Sequence, residues 1–368
     1  MASKVYFTNF RCEGNENLLQ KFRRLCETAG IGSIDMKDKY VAVKMHFGEP
    51  GNIAFLRHNY ARALCDLIRE HGGRPFLTDC NTLYIGRRSN ALDHLDAAYE
   101  NGFNPYSTGC HVIIGDGLKG DDEVAVPVHG DYVENAYIGR AVMDADIVIS
   151  LTHFKAHDGT GFGGALKNLG MGCGSRAGKM EQHNSGKPFV KQKKCVGCHA
   201  CAKICAHGAP TFDADNKASI DTSKCVGCAR CLAVCPKDAI QCMYDEAPSI
   251  LNYKIAEYTK AVVDGRPCFH VSLVMDVSPN CDCHGENDVP IVPNVGMFAS
   301  FDPVALDQAC IDAVLAQPKM PNSVIGSSEA CQCEDHFKAA HPDTDWEAAL
   351  IHSEKIGLGS REYELVKI

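Results

Sequence analysis

The clearest indication of the architecture is the stretch "DIVISLTHFKAHDGTGFGGALKNLGMGCGSRAGK" (residues 146–179), in which an apolar run passes into a polar, glycine-rich segment. The run at 146–151 is almost continuously apolar, as in a strand that is buried on both faces of a sheet. In open α/β sheets, ligands bind beyond the carboxyl ends of the strands. Residues 152–179 therefore begin where a binding site is expected.

Predicted strands and helices alternate on both sides of this stretch. The other predicted strands are 4–10, 40–47, 74–79, 111–116 and 268–277, and the predicted helices are 16–30, 54–73, 89–102, 250–265 and 302–317. Ser89 is the predicted cap of one helix, and Asp302 with Pro303 begins another. The alternation indicates an α/β domain with a mainly parallel sheet.

A cysteine-rich segment with a repeat of period 30 interrupts this alternation. Each copy has the spacing C-x2-C-x2-C-x3-C, which is typical of bacterial ferredoxins with two 4Fe–4S clusters. In that arrangement the fourth cysteine of each copy binds the cluster of the other copy. The predicted ligands are Cys195, Cys198, Cys201 and Cys235 for cluster one, and Cys225, Cys228, Cys231 and Cys205 for cluster two. Zinc also binds paired C-x2-C motifs, but it needs only four ligands.

The simplest domain organisation is one discontinuous α/β domain, residues 1–190 and 245–368, with a small α+β ferredoxin-like module inserted at 191–244. Tandem separate domains are the alternative. The net charge of −9 argues against a nucleic-acid binder, and no apolar run approaches the length of a membrane span. The opening residues show no apolar signal core, so we expect a cytoplasmic protein. Its 21 cysteines favour metal ligands over disulfides there, and suit an anaerobic cell.

Polar side chains follow four of the predicted strands and are expected to meet in one crevice. The candidates for catalysis are His153, His157, Lys167, Asn168, His46, Lys44 and Asp79. Histidine can bind a metal or transfer a proton, and lysine can anchor an anionic substrate. Gly161, Gly163 and Gly164 can bring the backbone close to a cofactor. They also match G-x-G-x-x-G, but no strand with an acidic ribose ligand follows, so a dinucleotide fold is not favoured.

Two further cysteines, Cys281 and Cys283, follow the predicted strand 268–277 in a C-x-C pair. If that segment is extended, both thiolates share one face and can hold an additional metal or the edge of a cluster. Cys173 is a candidate third ligand. A second pair, Cys331 and Cys333, is the weaker candidate. The alternative is that these are free thiols in a reducing cytosol.

Six motifs together resemble the family Domain of Unknown Function 362, in the form that carries an inserted ferredoxin module. They are "HFGEPGN" (46–52), "TDCNTLY" (78–84), "HFKAHDGTGFGGALKNLGMGCGSRAGK" (153–179), "CDCHGEND" (281–288), "PIVPNVGMFASFDPVALDQA" (290–309) and "IGLGSREYEL" (356–365). The resemblance implies a discontinuous α/β domain and a cytoplasmic iron–sulfur protein, without an assigned reaction. His157, the glycines and Lys167 are also similar to a histidine, glycines and a lysine of the nickel-pincer lactate racemases, in which the lysine and histidines hold the cofactor; the resemblance implies this role for His157 and Lys167 only.

These features favour an oxidoreductase that passes electrons through two clusters to or from the crevice, where a small anionic substrate binds. A redox partner protein, such as a ferredoxin, a flavodoxin or a reductase, is expected. The lysine-rich stretch 187–194 is a candidate docking site for it, or a solvated linker. Two alternatives stay open: an electron-transfer or assembly protein without its own chemistry, and a non-redox isomerase or metallocofactor-binding protein.

Overall fold

The structure is a computed structural model that describes residues 2–183, 187–242, 244, 246–326 and 332–368. The strands are β1 (Ser3–Asn9), β2 (Tyr40–Lys44), β3 (Arg74–Asp79), β4 (Val112–Ile114), β5 (Glu123–Pro127), β6 (Asn135–Gly139), β7 (Ile147–His153), β8 (Lys155–His157), β9 (Gly161–Gly163), β10 (Pro188–Val190), β11 (Pro210–Phe212), β12 (Ala218–Ile220), β13 (Ile240–Cys242), β14 (Cys268–Val274), β15 (Gly296–Ser300) and β16 (Tyr363–Lys367). The helices are α1 (Leu18–Thr28), α2 (His58–Glu70), α3 (Ala91–Glu100), α4 (Pro105–Thr108), α5 (Arg140–Met143), α6 (Ala165–Cys173), α7 (Arg176–His183), α8 (Ala200–Ile204), α9 (Arg230–Ala233), α10 (Pro248–Val263), α11 (Pro303–Leu315), α12 (His336–Ala340) and α13 (Trp346–Lys355).

Eight strands form the main sheet in the order β16-β1-β15-β14-β7-β2-β3-β4. The five strands from β14 to β4 are mutually parallel. Strand β15 is antiparallel to both β14 and β1, so β1 and its parallel neighbour β16 point the same way as the other five. The prediction of an α/β fold with a mainly parallel sheet is therefore confirmed.

Alternating residues of the central strands pack in two hydrophobic clusters, one on each face of the sheet. Val41 and Val43 of β2 pack in one cluster with Leu64 of α2, while Ala42 packs in another with Tyr258 of α10. Both faces of the strand are buried, which explains why its sequence is apolar without alternation. The carboxyl ends of β2, β3, β7 and β14 thus lie side by side at one edge.

Helix boundaries follow local capping interactions. Asp302 caps α11 as predicted, because its Oδ1 accepts hydrogen bonds from the backbone N–H groups of Val304 and Ala305, at 2.8 and 3.0 Å. The predicted cap of α3 was wrong by one residue. Asn90, rather than Ser89, accepts the N–H groups at the start of that helix.

The segment 146–179 folds differently from a glycine-rich loop. After β7, the strands β8 and β9 form a short hairpin, and α6 and α7 follow. Helix α6 begins at Gly164, where a side chain is excluded because an added Cβ would lie 2.3 Å from Oδ1 of Asp307. That carboxylate accepts the N–H groups of Ala165 and Leu166 at 2.7 and 2.9 Å. The start of α6 is therefore capped from within the protein and is not free to bind an anion.

The cysteine-rich segment contains two short antiparallel pairs, β10 with β13 and β11 with β12. Its two halves repeat in their backbone: His199 and Ala229, 30 residues apart, both have positive φ and precede α8 and α9. The predicted domain boundaries stay a prediction. None of the described helices has the length and apolarity that crossing a membrane would require.

Candidate functional site

A cavity of about 460 Å³ lies at the edge of the sheet where the strands β2, β3, β7 and β14 end. Of the predicted site residues, Lys44, His46, Asp79, His157, Lys167, Asn168, Gly163, Gly164, Cys281 and Cys283 line it. His153, Gly161 and Cys173 do not. The crevice expected from the sequence at the polar strand ends thus corresponds to an observed cavity. Its walls come from distant parts of the chain: Lys44 and Cys283, for example, are 239 residues apart in sequence.

The cavity lining carries more positive than negative charge. Five basic side chains, Lys44, Arg88, Lys155, Lys167 and Lys179, line it together with the carboxylates of Asp79 and Asp158. Most of these cations have anionic partners: Nζ of Lys44 lies 3.0 Å from Asp79, and Nε of Arg88 lies 2.8 Å from Glu49. Among the described residues, no carboxylate lies within 4.0 Å of Nζ of Lys167. Lys179 has no carboxylate partner among the described residues either, but its ammonium donates to the carbonyl oxygen of Gly174, so Lys167 is the cation best placed to bind an anion.

Asn168 lies in the cavity wall, but its amide is already used by the protein. The Nδ2 group donates to the carbonyl of Lys44 and to Oγ1 of Thr152, at 3.1 and 3.0 Å. Its Oδ1 accepts a hydrogen bond from Nζ of Lys44 at 2.8 Å. Asn168 thus ties α6 to the ends of β2 and β7, and it holds Lys44 in place.

His153 points away from the cavity and supports the segment that carries the C-x-C pair. Its Nδ1 lies 2.9 Å from Oδ1 of Asp282, and its Nε2 lies 2.8 Å from the carbonyl oxygen of Met275. Nζ of Lys155 lies 3.3 Å from the same carboxylate. Burial raises the pKa of Asp282, but the charges of His153 and Lys155 outweigh burial and hold that pKa well below its usual range.

His46 and His157 share one local arrangement. The backbone N–H of Gly48 donates to Nδ1 of His46 at 2.9 Å, and the N–H of Gly159 donates to Nδ1 of His157 at the same distance. Burial, followed by nearby cations, lowers both pKa values, that of His157 to about 3. Each ring is therefore neutral with Nδ1 as an acceptor, so the proton resides on Nε2. Both histidines occur in the pattern His-x-Gly, which had not been recognised from the sequence alone.

Cys281 and Cys283 lie in a turn, so the expectation of an extended segment was wrong. The backbone N–H of His284 donates to the carbonyl of Cys281 at 3.0 Å, which closes a β-turn around Asp282 and Cys283. Nε2 of His157 lies 4.0 Å from Sγ of Cys283, and Nζ of Lys167 lies 3.7 Å from Sγ of Cys281. The ligand atoms of His157, Cys281 and Cys283 all lie within 4.8 Å of one another, so they form a candidate metal-binding group.

The two thiols of this pair differ in acidity. Cys281 hydrogen-bonds to Cys283, and this contact, with help from Lys167 and Arg88, lowers the pKa of Cys283 to about 7 against the effect of burial. The same contact and burial raise the pKa of Cys281 to about 12. Cys173, the third candidate ligand, is buried in the hydrophobic cluster under α10 instead. Cys331 lies outside the described residues.

The eight cysteines of the repeat line two small cavities in crossed sets. Cys195, Cys198, Cys201 and Cys235 line one, and Cys205, Cys225, Cys228 and Cys231 line the other. Backbone N–H groups approach the sulfur atoms: Ala239 donates to Cys235 at 3.2 Å, and Ala209 donates to Cys205 at 3.4 Å. Four thiols around one cavity, with N–H groups directed at sulfur, are the donor set that a 4Fe–4S cluster requires. The residues present fit that cofactor.

A third cavity, of about 280 Å³, shares lining residues with the first cysteine cavity and with the main cavity. Cys235 lines it as well as the first of the cysteine cavities. Leu83, Tyr84 and Tyr244 line it as well as the main cavity. The first cysteine cavity is thus next to the third cavity, and the third cavity is next to the main cavity.

Several cavity residues had not been predicted from the sequence. Tyr84 and Arg88 form part of a buried network in which the Tyr84 hydroxyl donates to Glu49 at 3.1 Å, and Arg88 binds both. Tyr84 is the last residue of "TDCNTLY" (78–84), and Arg88 follows four residues later, but nothing in this spacing marks either residue as part of a site. Lys155 and Lys179 lie in the quoted stretch 146–179, but nothing in their spacing distinguishes a cavity lysine from an exposed one.

The protein is thus an α/β protein with a polar cavity at the carboxyl edge of its main sheet. A model of the family "Domain of unknown function (DUF362)" matches residues 41–312, and the chain belongs to this family. A comparison with curated proteins finds no match.

Solved structures show limited likeness. One is the lactate racemase apoprotein from Thermoanaerobacterium thermosaccharolyticum, with 10% identity and a TM-score of 0.37 over 74% of this chain and 51% of that one. Another is a structural-genomics protein from Thermotoga maritima, with 14% identity and a TM-score of 0.41 over 82% of this chain and 60% of that one. The chain thus spans about half the length of the racemase.

Proposed function

We propose that this protein is an oxidoreductase in which two 4Fe–4S clusters carry electrons to or from the main cavity, where a small anionic substrate reacts. The observation that carries the proposal is that Cys235 lines both the first cysteine cavity and the third cavity, which borders the main cavity. When bound, the clusters would supply one-electron transfer. The four thiols of each set would hold them.

The basic lining supports an anionic substrate. Lys167 is half-buried and lies in the first turns of α6, with its ammonium close to the C-x-C pair. Neutral His46 and His157 present Nε2–H donors that can hydrogen-bond to the same ligand. Lys44 and Arg88 form ion pairs with carboxylates, so they add positive charge to the cavity wall but are not free to bind the substrate.

An acidic redox partner fits the surface beside the first cysteine set. Lys191, Lys193 and Lys194 are exposed and immediately precede Cys195, which is buried. Opposite charges steer the encounter of electron-transfer partners. A ferredoxin, a flavodoxin or a reductase of acidic surface would meet this requirement, as expected of a cytoplasmic protein.

The Lys167→Met variant tests the substrate part of the proposal. Protein purified without oxygen is reduced with dithionite, freed of excess reductant and mixed with a panel of small carboxylates, oxyanions and phosphate esters. Recovery of the iron–sulfur absorbance reports reoxidation. We expect at least one anion to reoxidise the wild-type protein, and the variant to react about 10- to 100-fold more slowly below saturation, since a charged hydrogen bond contributes about 1.5–3 kcal/mol.

Lys338→Met is the matched control, because Lys338 is exposed on α12, away from the cavity. It should react like the wild type. A wild-type protein that no anion reoxidises, or a Lys167 variant that reacts at the wild-type rate, would contradict the proposal.

A non-redox metallocofactor protein is the second candidate, and the candidate metal-binding group of His157, Cys281 and Cys283 favours it. This function requires a metal in addition to iron. Nickel or another metal that co-purifies with the protein, and that is lost when both cysteines are replaced by serine, would support it.

A further inference from the structure

We propose that Cys281 and Cys283 form a redox-active dithiol, which closes to a disulfide on loss of two electrons and exchanges them with small anionic disulfides in the main cavity. The inference rests on the proposed function only for the source of the electrons. The dithiol itself is defined by the geometry of the turn and by the side chains that surround the two sulfur atoms.

The β-turn brings the two cysteines within reach of each other. A disulfide needs Cα atoms about 4.4–6.8 Å apart, which a fully extended pair two residues apart would barely meet. The hydrogen bond from the N–H of His284 to the carbonyl of Cys281 folds the chain at this point. Their sulfur atoms already lie within 4.8 Å of each other, and both residues line the cavity.

Buried charges hold this turn in place. The side chain of Asp282 between the two cysteines is fully buried, and its carboxylate contacts both His153 and Lys155. The backbone of Asp282 also accepts a hydrogen bond from the N–H of Glu49 at 2.9 Å. The middle residue of C-x-C is therefore an anchor, and the two thiols are left facing the substrate.

The hydrogen bonding of His157 favours a thiol pair over a metal site. Both Gly159 and Thr160 donate backbone N–H groups to Nδ1, at 2.9 and 3.1 Å, although the carboxylate of Asp158 is also near, at 3.2 Å. With Nδ1 occupied as an acceptor, a neutral ring carries its proton on Nε2 and has no lone pair there for a metal. The Nε2–H group instead points toward Sγ of Cys283, where it stabilises a thiolate.

The redox step balances with groups that the structure places nearby. The S–S bond breaks when it takes up two electrons, and each of the two 4Fe–4S clusters that the cysteine sets would hold could supply one of them. One proton goes to Sγ of Cys281, whose nearest donor is the ammonium of Lys167 at 3.7 Å. Cys283 remains as a thiolate. In the exchange step Lys167 has regained a proton from water, and the Cys283 thiolate attacks a substrate disulfide so that one substrate thiolate leaves. That leaving thiolate takes up the proton of Cys281, and the resulting Cys281 thiolate attacks Sγ of Cys283 and displaces the second substrate thiolate as the internal disulfide re-forms.

The test follows the two thiols in the full protein with its clusters. Samples held without oxygen in glutathione buffers of graded potential are quenched with iodoacetamide. The masses of the peptides that contain Cys281 and Cys283 are then measured by mass spectrometry. We expect the doubly alkylated peptide to be replaced, in one two-electron transition, by a peptide that is unlabelled at both cysteines and lighter by two hydrogens than the dithiol. The matched control is Cys268→Ala, which removes a half-buried thiol on β14 and should leave the transition unchanged.

The substrate class is tested with two disulfides of similar size. Dithiodiglycolate carries two carboxylates, while bis(2-hydroxyethyl) disulfide is neutral. We expect the anionic probe to oxidise the reduced pair about ten-fold faster or more, and Lys167→Met to remove this preference. Equal rates for both probes would overturn the assignment of an anionic disulfide.

Alkylation of both thiols at every potential would overturn the dithiol, as would a stoichiometric metal that protects them and is lost in Cys281→Ser. Iron measured on the same samples separates this inference from the proposed function. If the protein lacks iron but shows the two-electron transition, the dithiol is supported and the electron path through the clusters is refuted. If the protein contains iron but shows no such transition, only the dithiol is refuted.

Discussion

Replacing Cys235 with serine is expected to remove about half of the iron, roughly four of eight atoms per chain, and to abolish the cluster held by the first half of the repeat. Cys235 follows Cys231 in sequence, but it lines the cavity of Cys195, Cys198 and Cys201. Loss of one of the four ligands leaves an incomplete donor set for the cluster. Iron analysis and electron paramagnetic resonance of the reduced protein measure the loss.

The crossed arrangement makes this prediction specific. Cys205→Ser should also halve the iron, but it should eliminate the other cluster, so the two variants should keep different resonance signals. Cys268→Ser is the control, because Cys268 belongs to neither set and should leave the iron content unchanged. Identical residual signals in the Cys235 and Cys205 variants would contradict crossed ligation.

Asp282→Asn is expected to destabilise the protein by about 3–5 kcal/mol, because it removes the only carboxylate that the described structure places against both His153 and Lys155. All three side chains are nearly inaccessible to water, so the remaining positive charges cannot be solvated. Equilibrium unfolding in urea, without oxygen, measures the difference. Glu286→Gln on the same loop is the control, since an exposed carboxylate contributes at most about 1 kcal/mol.

The effect of Asp282 depends on pH in a defined direction. A carboxyl whose pKa is lowered by folding stabilises the protein above its unfolded pKa, near 4, and this contribution is lost as the pH falls toward the folded pKa. The difference between wild type and variant should therefore be largest near neutral pH and shrink in acid. A difference that is the same at pH 7 and in acid would show that the carboxylate charge is not what stabilises the loop.

The fold could largely be predicted because its signals are local. The apolar runs that became β2, β3, β7 and β14 are buried on both faces, and helices such as α11 have capping residues that can be recognised in the sequence. The reversed strand β15 and the terminal strand β16 could not be predicted, because their pairing with β1 depends on contacts between the two ends of the chain.

The candidate site was predictable only in part, for the same physical reason. Residues directly after strands, such as Lys44 and His157, were found because parallel strands end at one edge. The roles of Asn168 and His153 depend on hydrogen-bond partners more than 100 residues away, so these two residues looked like substrate contacts until their partners were known. The C-x-C segment was predicted to be extended because the spacing of the two cysteines does not reveal the backbone hydrogen bond that closes its turn.

The central claim, that two 4Fe–4S clusters connect to the cavity, is tested most directly by iron and acid-labile sulfide analysis of protein purified without oxygen. We predict about eight irons and about eight sulfides per chain, because the proposal assigns one cluster to each crossed set of four cysteines. Zinc in place of iron, or a protein with iron but no labile sulfide, would contradict the account.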